Sequence, residues 1–562
     1  MAEYKKTITS WQRFLSMLSL DKKDIYQIAY YAIFAGLVSL TLPLGIQAII
    51  NLLQAAQTTT SWVVLVVLVT LGVAFTGVLQ LMQLRIIENI QQKIFTRSAF
   101  EFSYRFPKIK MSELEDYYPP ELANRFFDTL TIQKTLSKLL IDVPAAFLQI
   151  LFGLILLSFY HPFFIVYGLM LIVLIYVVFK FTYQRGLSTS LEESKYKYKI
   201  AHWIQEVARS IVSFKLSGRT NLAMSKSDYL TNEYLDAREG HFRILILQFI
   251  QMIGFKVLVT AGLLVVGGLL VLNQQMNIGQ FVAAEIIILL VINSVEKLIL
   301  SLEPFYDMLT SLEKLGQAVD KNLELQEGEL DIADDEGLHI SLEDVGYHRP
   351  SADREIIKNI NLEIEPKELI AVQGVSSSGK STLLKLIAGL IEPTRGNMYI
   401  NNANSKIIRP NAYRSLLGQS LIEESPFEGT ILENLTFGDT SIPKKDIEWA
   451  IDLIGLREFV KAQPKGLNTE LKPEGMQISS TISKKIVLAR SIIRKPKLLI
   501  LSDPLDKFEP KEKEHIINAL TGPDRPWGIV VESREPLWTR TCGRVLTMQN
   551  GEIINIKDNN NA

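Results

Sequence analysis

Long apolar runs dominate the first half of the chain, and polar segments separate them. Six runs are long enough to cross a lipid bilayer, for which an α-helix needs about 20 apolar residues. They cover approximately 25–52, 61–84, 143–160, 162–182, 245–272 and 278–300. A buried helix of a soluble protein could explain one such run, but it does not account for six. The pattern therefore predicts an α-helical membrane domain with six spans.

Basic residues divide the polar segments into two classes. The segments before the first run, at 85–142 and at 183–244, are rich in Lys and Arg, whereas 53–60, 161 and 273–277 contain neither. Because Lys and Arg concentrate on the cytoplasmic side of a membrane, we expect both termini and both long loops in the cytoplasm. The loops are expected to extend the spans as helical hairpins, with chain reversals at 117–122 and 217–221, where Pro and Gly occur.

A few ionisable side chains fall inside the predicted spans, where charge is costly and usually faces protein or water. They are Lys256, Glu285, Glu296 and Lys297. Glu285 and Glu296 share one helical face with Asn293, because their spacing fits the helical repeat. Two interpretations stay open. The face lines a transport path, or Glu296 and Lys297 mark the cytoplasmic end of the last span.

The composition of the chain excludes some functions. Its 562 residues include 59 Lys and Arg and 60 Asp and Glu, for a formal net charge of −1. This balance argues against a nucleic-acid partner, which would require many phosphate contacts from basic residues. The single cysteine, Cys542, is typical of a protein whose polar part lies in a reducing compartment. The polar N-terminus lacks the pattern of a cleavable signal.

A second domain is predicted after an acidic linker. We expect a short N-terminal segment (1–24), the membrane domain (25–311), a linker (312–337) that includes Asp334 to Glu336, and an α/β domain (338–562). In the last domain, an apolar strand at 369–372 precedes the pattern G-x-x-x-x-G-K-S, and a helical run at 383–390 follows it. This order of strand, loop and helix is the context that a phosphate-binding loop requires.

The loop predicts binding of ATP and Mg²⁺. The backbone N–H groups of such a loop and the following helix N-terminus bind phosphates. We expect Lys380 to reach the β- and γ-phosphates and Ser381 to bind Mg²⁺. The other predicted members of the loop site are Gly374, Ser376, Ser377, Ser378, Gly379 and Thr382.

Six spans, two long cytoplasmic hairpins and a phosphate-loop domain resemble an ATP-binding cassette (ABC) exporter half-transporter. The runs Leu42–Ile49 and Asn277–Gln280 are most similar to the type I secretion and bacteriocin-exporter branch. The peptidase domain of some members is expected to be absent, because about 24 residues precede the first span. The resemblance implies a homodimer or heterodimer in the lipid of an inner membrane, and it suggests a periplasmic membrane-fusion adaptor.

The resemblance also assigns roles to residues outside the loop. Gln419 matches the glutamine that senses Mg²⁺ and contacts a coupling helix. Ser479 matches the serine of the signature segment. Arg349 aligns with the adenine-stacking tyrosine, and Tyr347 is close by in the sequence.

Several other positions depart from the family pattern. Ser480 and Thr481 stand where the signature has glycines. Ser502 replaces the metal-organising aspartate, Asp503 the catalytic glutamate and Ser533 the switch histidine. Glu509 stands at the aspartate of the loop after the catalytic position. A general base one methylene too short is displaced by about 1 Å, and loss of such a base costs roughly 10²–10⁴-fold in rate. We therefore expect a domain that binds ATP and hydrolyses it weakly or not at all.

Two functions are compatible with these patterns. The first is an exporter that moves a peptide, protein or other substrate out of the cytoplasm as a dimer. The second is a non-hydrolysing gate, scaffold or regulatory subunit of an envelope secretion complex.

The topology can be tested by cysteine labelling. Because the outer loops contain no Lys or Arg, we expect Thr59→Cys and Asn277→Cys to react with an impermeant maleimide on intact spheroplasts. Lys110→Cys should react only after permeabilisation, and the unmodified chain with its single Cys542 gives the background. Protection of both outer positions together with labelling at 110 would reverse the topology.

Overall fold

The computed structural model describes residues 9–54, 60–115, 117–325, 337–349 and 355–559, without the side chains of 174, 175, 177–179 and 181–183. It forms two compact units. The first comprises Met1–Pro107 and Tyr118–Asp320, and the second comprises Lys108–Tyr117 and Lys321–Ala562. The predicted acidic stretch Asp334–Glu336 and positions 55–59 of the first outer loop lie outside the described residues.

The described secondary structure of the first unit is helical. In chain order, the helices up to residue 319, of which α5 belongs to the second unit, are α1 (Ser10–Leu20), α2 (Lys22–Ser39), α3 (Thr41–Gln54), α4 (Thr60–Arg105), α5 (Met111–Leu114), α6 (Pro119–Ala123), α7 (Asp128–Ser158), α8 (Phe163–Arg209), α9 (Ile211–Leu216), α10 (Leu222–Gly262), α11 (Gly268–Leu272), α12 (Ile278–Leu300) and α13 (Leu302–Val319). A π-helical turn at Leu263–Gly267 joins α10 to α11.

Five helical stretches are long and apolar enough to cross a membrane. They are Lys22–Gln54, Thr60–Lys108, Pro119–Ser158, Leu222–Leu272 and Ile278–Val319. The fourth predicted span falls on α8, whose apolar part among the described residues is Phe163–Val173. Helices α4 and α8 contain 46 and 47 residues. At 1.5 Å per residue each is about 70 Å long, more than twice the hydrocarbon thickness of about 30 Å. They therefore continue well beyond their apolar parts, as predicted for the hairpins.

One predicted boundary is wrong. The first predicted span falls within the single apolar stretch Lys22–Gln54, although a turn at Leu40 separates α2 from α3 within it. The linker does not begin at 312, because α13 continues to Val319. The residues of α13 that are buried include Leu309 and Leu312, at helical spacing. The change in overall composition after residue 312 obscured this apolar face in the sequence.

The charges in the last spans are partly explained by an ion pair. Lys256 of α10 donates a hydrogen bond of 2.5 Å to a carboxylate oxygen of Glu296 in α12. Glu296 therefore has a partner of opposite charge within the helical unit. Asn293 is exposed and Glu285 is half-buried. Helix α12 continues past Glu296 to Leu300, and both interpretations of these charges stay predictions.

The ion pair predicts a stability effect. Removing one partner of a fully buried pair costs about 3–5 kcal/mol, and we expect about 1–2 kcal/mol here, because the two side chains are 34% and 28% exposed. Lys256→Met and Glu296→Gln should each lower the free energy of unfolding by that amount in detergent micelles. The exchange Lys256→Glu/Glu296→Lys should recover most of the loss. Lys297→Met, at the exposed neighbouring position, is the control. Equal stability of all four variants would contradict a contribution from the pair.

The described part of the second unit contains three sheets, the smallest of which is the antiparallel pair β7-β8, and the helices that cover the two larger ones. Its elements after α13 are β1 (Ile340–His348), β2 (Glu355–Ile364), β3 (Leu369–Gly374), α14 (Lys380–Ile387), β4 (Arg395–Ile400), β5 (Ala403–Asn404), α15 (Pro410–Ser415), β6 (Leu417–Ser420), β7 (Gly429–Thr430), α16 (Ile431–Thr436), α17 (Lys444–Leu453), α18 (Arg457–Ala462), β8 (Glu470–Leu471), α19 (Ser480–Ile492), β9 (Leu498–Ser502), α20 (Pro510–Thr521), β10 (Gly528–Glu532), α21 (Pro536–Thr541), β11 (Arg544–Gln549) and β12 (Glu552–Asp558).

The large sheet has the order β12-β11-β3-β10-β9-β6. Its strands are parallel except for β12, which pairs antiparallel with β11. The smaller sheet, β2-β1-β4-β5, is antiparallel. Every residue of β9 and β10 is buried, because apolar clusters cover both faces of the large sheet. In such sheets, ligands bind at the carboxyl ends of the strands, where the predicted phosphate loop follows β3.

Candidate nucleotide site

Two glycines shape the loop between β3 and α14. Gly374 has a φ of 149° and Gly379 a φ of 102°, backbone conformations that favour glycine. A Cβ on Gly374 would lie 2.2 Å from the carbonyl oxygen of Met548, so the atoms would overlap. The loop therefore passes so close to β11 that it requires glycine at this position. Helix α14 begins directly after the second glycine, at Lys380.

Lys380 folds back over the loop. Its Nζ donates hydrogen bonds to the carbonyl oxygens of Gly374 (3.1 Å) and Val375 (2.9 Å). The loop thus presents a cation beside successive backbone N–H groups and a helix N-terminus, a combination that binds phosphate. Ser377 in the same loop has a φ of 63°, which costs a residue other than glycine about 1–2 kcal/mol.

A cavity of 940 Å³ opens over this loop, within the range of about 300–1,000 Å³ that is typical of small-molecule sites. Most of the predicted nucleotide-binding residues line it. They are Arg349, Gly374, Ser376, Ser377, Ser378, Gly379, Lys380, Ser381, Thr382, Asp503 and Ser533. Arg349 is the predicted base-stacking position, and a guanidinium can stack on an aromatic ring. The structure therefore brings together a loop for phosphates and a group suited to a nucleobase.

Tyr347 does not belong to this site. It is buried in β1, and its hydroxyl donates a hydrogen bond to Glu115. Burial and this hydrogen bond raise the pKa of Tyr347 above its ordinary value, so the phenol remains a donor. Arg349 contacts the same carboxylate, with Nε 3.5 Å from Oε2. Arg349 follows the end of β1 and is exposed, and it reaches the cavity, whereas Tyr347 is not among the residues that line it.

Gln419 and Ser479 also lie outside the cavity lining. Gln419 is in β6, the edge strand of the large sheet, opposite Ile500. Its predicted contact with Mg²⁺ stays a prediction. Ser479 is exposed at the start of α19, where its hydroxyl accepts a hydrogen bond of 3.3 Å from the backbone N–H of Ile482. Its predicted role in nucleotide binding stays a prediction.

The two altered hydrolytic positions both line the cavity. Asp503 follows β9 with a φ of 39°, and its Oδ1 accepts a hydrogen bond of 3.3 Å from the backbone N–H of Arg534. Ser533 follows β10, and its hydroxyl accepts one of 3.2 Å from the N–H of Glu535. The short carboxylate and the serine therefore both line the cavity, but each accepts a hydrogen bond from a backbone N–H group of the loop after β10.

Two residues of the cavity were missed in the sequence. Arg534 donates a hydrogen bond of 3.1 Å from Nη2 to Ser376 in the phosphate loop. Glu532, at the end of β10, is only 7% exposed and accepts hydrogen bonds from Ser381 (3.0 Å) and Ser502 (2.8 Å). The sequence contained one signal for it, since Glu532 is the single charge in an otherwise apolar strand.

The residues present fit Mg-ATP. Mg²⁺ prefers oxygen ligands and is commonly bound through one or two carboxylates together with substrate phosphates. The cavity offers the Ser381 hydroxyl, the Glu532 and Asp503 carboxylates, and the phosphate loop. Lys380 and Arg534 supply positive charge. Magnesium bound there would screen the negative charge of the phosphates, and the chain's own groups would orient them.

Comparison with known families decides the identity of the chain. Residues 28–295 match the family described as the ABC transporter transmembrane region, and residues 357–506 match the family described as ABC transporter. The chain is an ABC exporter. This result confirms the predicted fold class, a helical membrane domain followed by a phosphate-loop domain.

Individual relatives of this exporter are distant. It is 23% identical to an export ATP-binding/permease protein of Rickettsia bellii over an alignment of 441 residues. This alignment covers 77% of this chain and 76% of the relative. It is 26% identical over 353 residues to the leukotoxin translocation ATP-binding protein LktB of Mannheimia haemolytica, covering 62% of this chain and 49% of LktB. The match thus spans about half of LktB. The similarity supports the predicted likeness to type I secretion exporters.

A solved structure shares the fold of this exporter. A bacterial Atm1-family ABC exporter with ATP bound superposes with a TM-score of 0.85 over 96% of both chains. The sequence identity is 13%, so the similarity concerns the fold alone.

The site predicts how ATP affinity depends on Lys380. A hydrogen bond to a charged group contributes about 1.5–3 kcal/mol, so Lys380→Ala should weaken ATP binding roughly 10–150-fold. Calorimetry on the purified exporter measures the affinity. Lys495→Ala is the matched control, because Lys495 pairs with Asp446 on the surface of the same unit. Unchanged affinity in Lys380→Ala would contradict the assignment of the loop.

Proposed function

We infer that this exporter is a half-transporter of the inner, cytoplasmic membrane that binds Mg-ATP, works as a homodimer or heterodimer and hydrolyses ATP weakly or not at all. Both termini and the nucleotide-binding domain face the cytoplasm. The substrate is a peptide, a protein or another compound that leaves the cytoplasm. The observation that carries this proposal is the contrast within one cavity between a complete phosphate loop and altered hydrolytic positions.

Binding of ATP is favoured by the groups that remain. Lys380, Ser381 and the glycines of the loop hold the arrangement required for phosphates. These contacts act on the ground state of the nucleotide as well as on the transition state. They therefore support affinity whether or not hydrolysis follows.

Weak hydrolysis follows from Asp503 and Ser533. The general base of such a reaction must lie within hydrogen-bond distance of the attacking water. Asp503 is one methylene shorter than glutamate, and one of its oxygens accepts from the N–H of Arg534. Ser533 provides a hydroxyl where an imidazole would contact the transferred phosphoryl group, and that reaction depends on positioning and electrostatics.

The signature segment adds a third obstacle. Ser480 and Thr481 start helix α19 at an exposed end. In the dimer implied by the family, this end approaches the nucleotide of the opposite subunit. Side chains at these positions keep the backbone farther from a phosphate than glycine does. A partner with intact motifs therefore restores neither of the two sites completely, because each one still uses an altered element of this chain.

A second function is favoured by the same replacements. A subunit that binds ATP without rapid turnover acts as a gate, a scaffold or a regulatory half within an envelope secretion complex. The similarity to LktB, whose name describes leukotoxin translocation, supports a protein or peptide substrate. A periplasmic membrane-fusion adaptor is the partner that we propose for such an assembly. Copurification of an adaptor or of a second half-transporter distinguishes the homodimer from these assemblies.

Turnover measurements test the proposed weak hydrolysis. We expect the unmodified exporter to hydrolyse ATP at least about a hundredfold more slowly than a related exporter with glutamate and histidine at positions 503 and 533, the lower end of the loss for one general base. Lys380→Ala provides the background rate. Restoring Asp503→Glu alone should gain little, because Ser533 and the signature remain altered and such losses are not additive.

The combined restoration is the decisive variant. The variant combines Asp503→Glu, Ser533→His, glycines at 480 and 481, and Ser502→Asp with Glu532→Ala, because an aspartate at 502 would otherwise face the buried carboxylate of Glu532. It should raise turnover sharply over the Asp503→Glu variant. Turnover near ten per second in the unmodified protein, a typical enzyme rate, would refute the proposal of weak hydrolysis and leave an ordinary exporter.

A further inference from the structure

A buried glutamate lies at the centre of the nucleotide-binding unit. Glu532 ends β10, whose other residues are glycine, isoleucine and valine, all buried. The strand lies between β3 and β9 in the middle of the large sheet. Burial of a carboxylate is unfavourable unless it is paired and hydrogen-bonded. A charge at this position therefore requires compensation from its surroundings.

The compensation comes from the phosphate loop and from β9. One oxygen of Glu532, Oε2, accepts hydrogen bonds from the hydroxyls of Ser381 (3.0 Å) and Ser502 (2.8 Å). The other, Oε1, lies 3.8 Å from Nζ of Lys380. Two of these three partners are the first residues of α14, directly after the phosphate loop. The carboxylate also lines the nucleotide cavity.

Nucleotide binding changes the charge balance around Glu532. A triphosphate in the loop brings several negative charges next to the buried carboxylate and competes with it for Lys380. Like charges in close proximity repel, and the repulsion is stronger near a buried group than in bulk water. A divalent cation that contacts both the phosphates and the carboxylate removes the repulsion. The Ser381 hydroxyl, 3.0 Å from Oε2, supplies a further oxygen ligand of the type that Mg²⁺ prefers.

The register of the sheet explains why Ser502 is tolerated. Ser502 pairs directly with Glu532 across the parallel strands β9 and β10. An aspartate at 502 would place a second carboxylate within contact distance of the first. Serine instead donates a hydrogen bond to it. The carboxylate missing from the end of β9 is thus present at the end of β10, one strand away.

We propose that Glu532 is the carboxylate that binds the nucleotide-associated magnesium ion in this exporter, directly or through a water ligand, and that Ser502 orients it. The inference rests on the proposed binding of Mg-ATP. It alters the interpretation of Ser502, since the metal-organising charge has moved to the adjacent strand. The alternative is a structural role in which Glu532 only holds Lys380 and the loop together.

Metal binding separates the two roles. Mn²⁺ replaces Mg²⁺ and is followed by electron paramagnetic resonance on the full-length exporter with ATP. Affinity for ATP alone is measured by calorimetry in the presence of EDTA. Loss of a group that supports a metal site commonly weakens metal affinity about 10–100-fold. We expect Glu532→Gln to weaken Mn²⁺ binding by that factor, with ATP affinity in EDTA unchanged or increased because a repelling charge is gone.

A control and a rescue variant sharpen the test. Glu535→Gln removes a nearby carboxylate that pairs with Lys513, and it should leave Mn²⁺ affinity unchanged. The exchange Ser502→Asp/Glu532→Ala returns the carboxylate to β9 and should recover most of the Mn²⁺ affinity that Glu532→Ala loses.

The outcomes are distinct. Unchanged Mn²⁺ affinity in Glu532→Gln overturns the inference and leaves the proposed function intact. Loss of ATP binding in EDTA for Glu532→Gln overturns it in favour of the structural role. Absence of ATP binding to the unmodified exporter, with and without metal, defeats the proposed function and this inference together.

Discussion

Burial of the large sheet on both faces is the constraint on which the nucleotide-binding unit depends. Strands β9 and β10 have no exposed position, so polar chemistry is confined to the ends of the strands. Because β3, β10 and β9 are parallel neighbours, their carboxyl ends meet at one edge. The phosphate loop, Ser502 and Glu532 all lie there. The charged side chains at this edge therefore lie close together, and a change in one of them alters the electrostatic interactions of the others.

The local parts of this arrangement could be predicted from the sequence, and the long-range parts could not. The phosphate loop is a contiguous pattern between a strand and a helix, so its residues and their shared cavity followed from spacing alone. The spans followed from hydropathy, although the break at Leu40 and the extent of α13 did not. The contact of Glu532 with Ser502 joins residues 30 positions apart, and it depends on the register of two strands that no local pattern specifies.

Tyr347 illustrates a second limit of the sequence. Its aromatic ring suggested a role in stacking against a nucleobase, and in the sequence it lies two residues before Arg349. The structure buries Tyr347 and binds its hydroxyl to Glu115, a residue of the distant segment Lys108–Tyr117 that belongs to the same compact unit. Such a partner is brought in by tertiary packing. The hydrogen bond to Glu115 fixes the tyrosine side chain outside the cavity lining.

The site as a whole is altered unevenly, and the difference has a physical meaning. On the metal side, the loss of a carboxylate at 502 is matched by a buried carboxylate on the next strand, with its hydrogen bonds satisfied. At the positions that would act on the attacking water, none of the described residues replaces the glutamate that the family pattern has at 503. Asp503 accepts a hydrogen bond from the backbone N–H of Arg534, and Ser533 accepts one from that of Glu535. Random loss of function would not be expected to preserve the groups for metal binding while the groups for hydrolysis are altered. Affinity for a metal-bound nucleotide depends on the first set of groups and its hydrolysis on the second. We therefore expect a chain with this division to respond to the presence of ATP more readily than it consumes ATP.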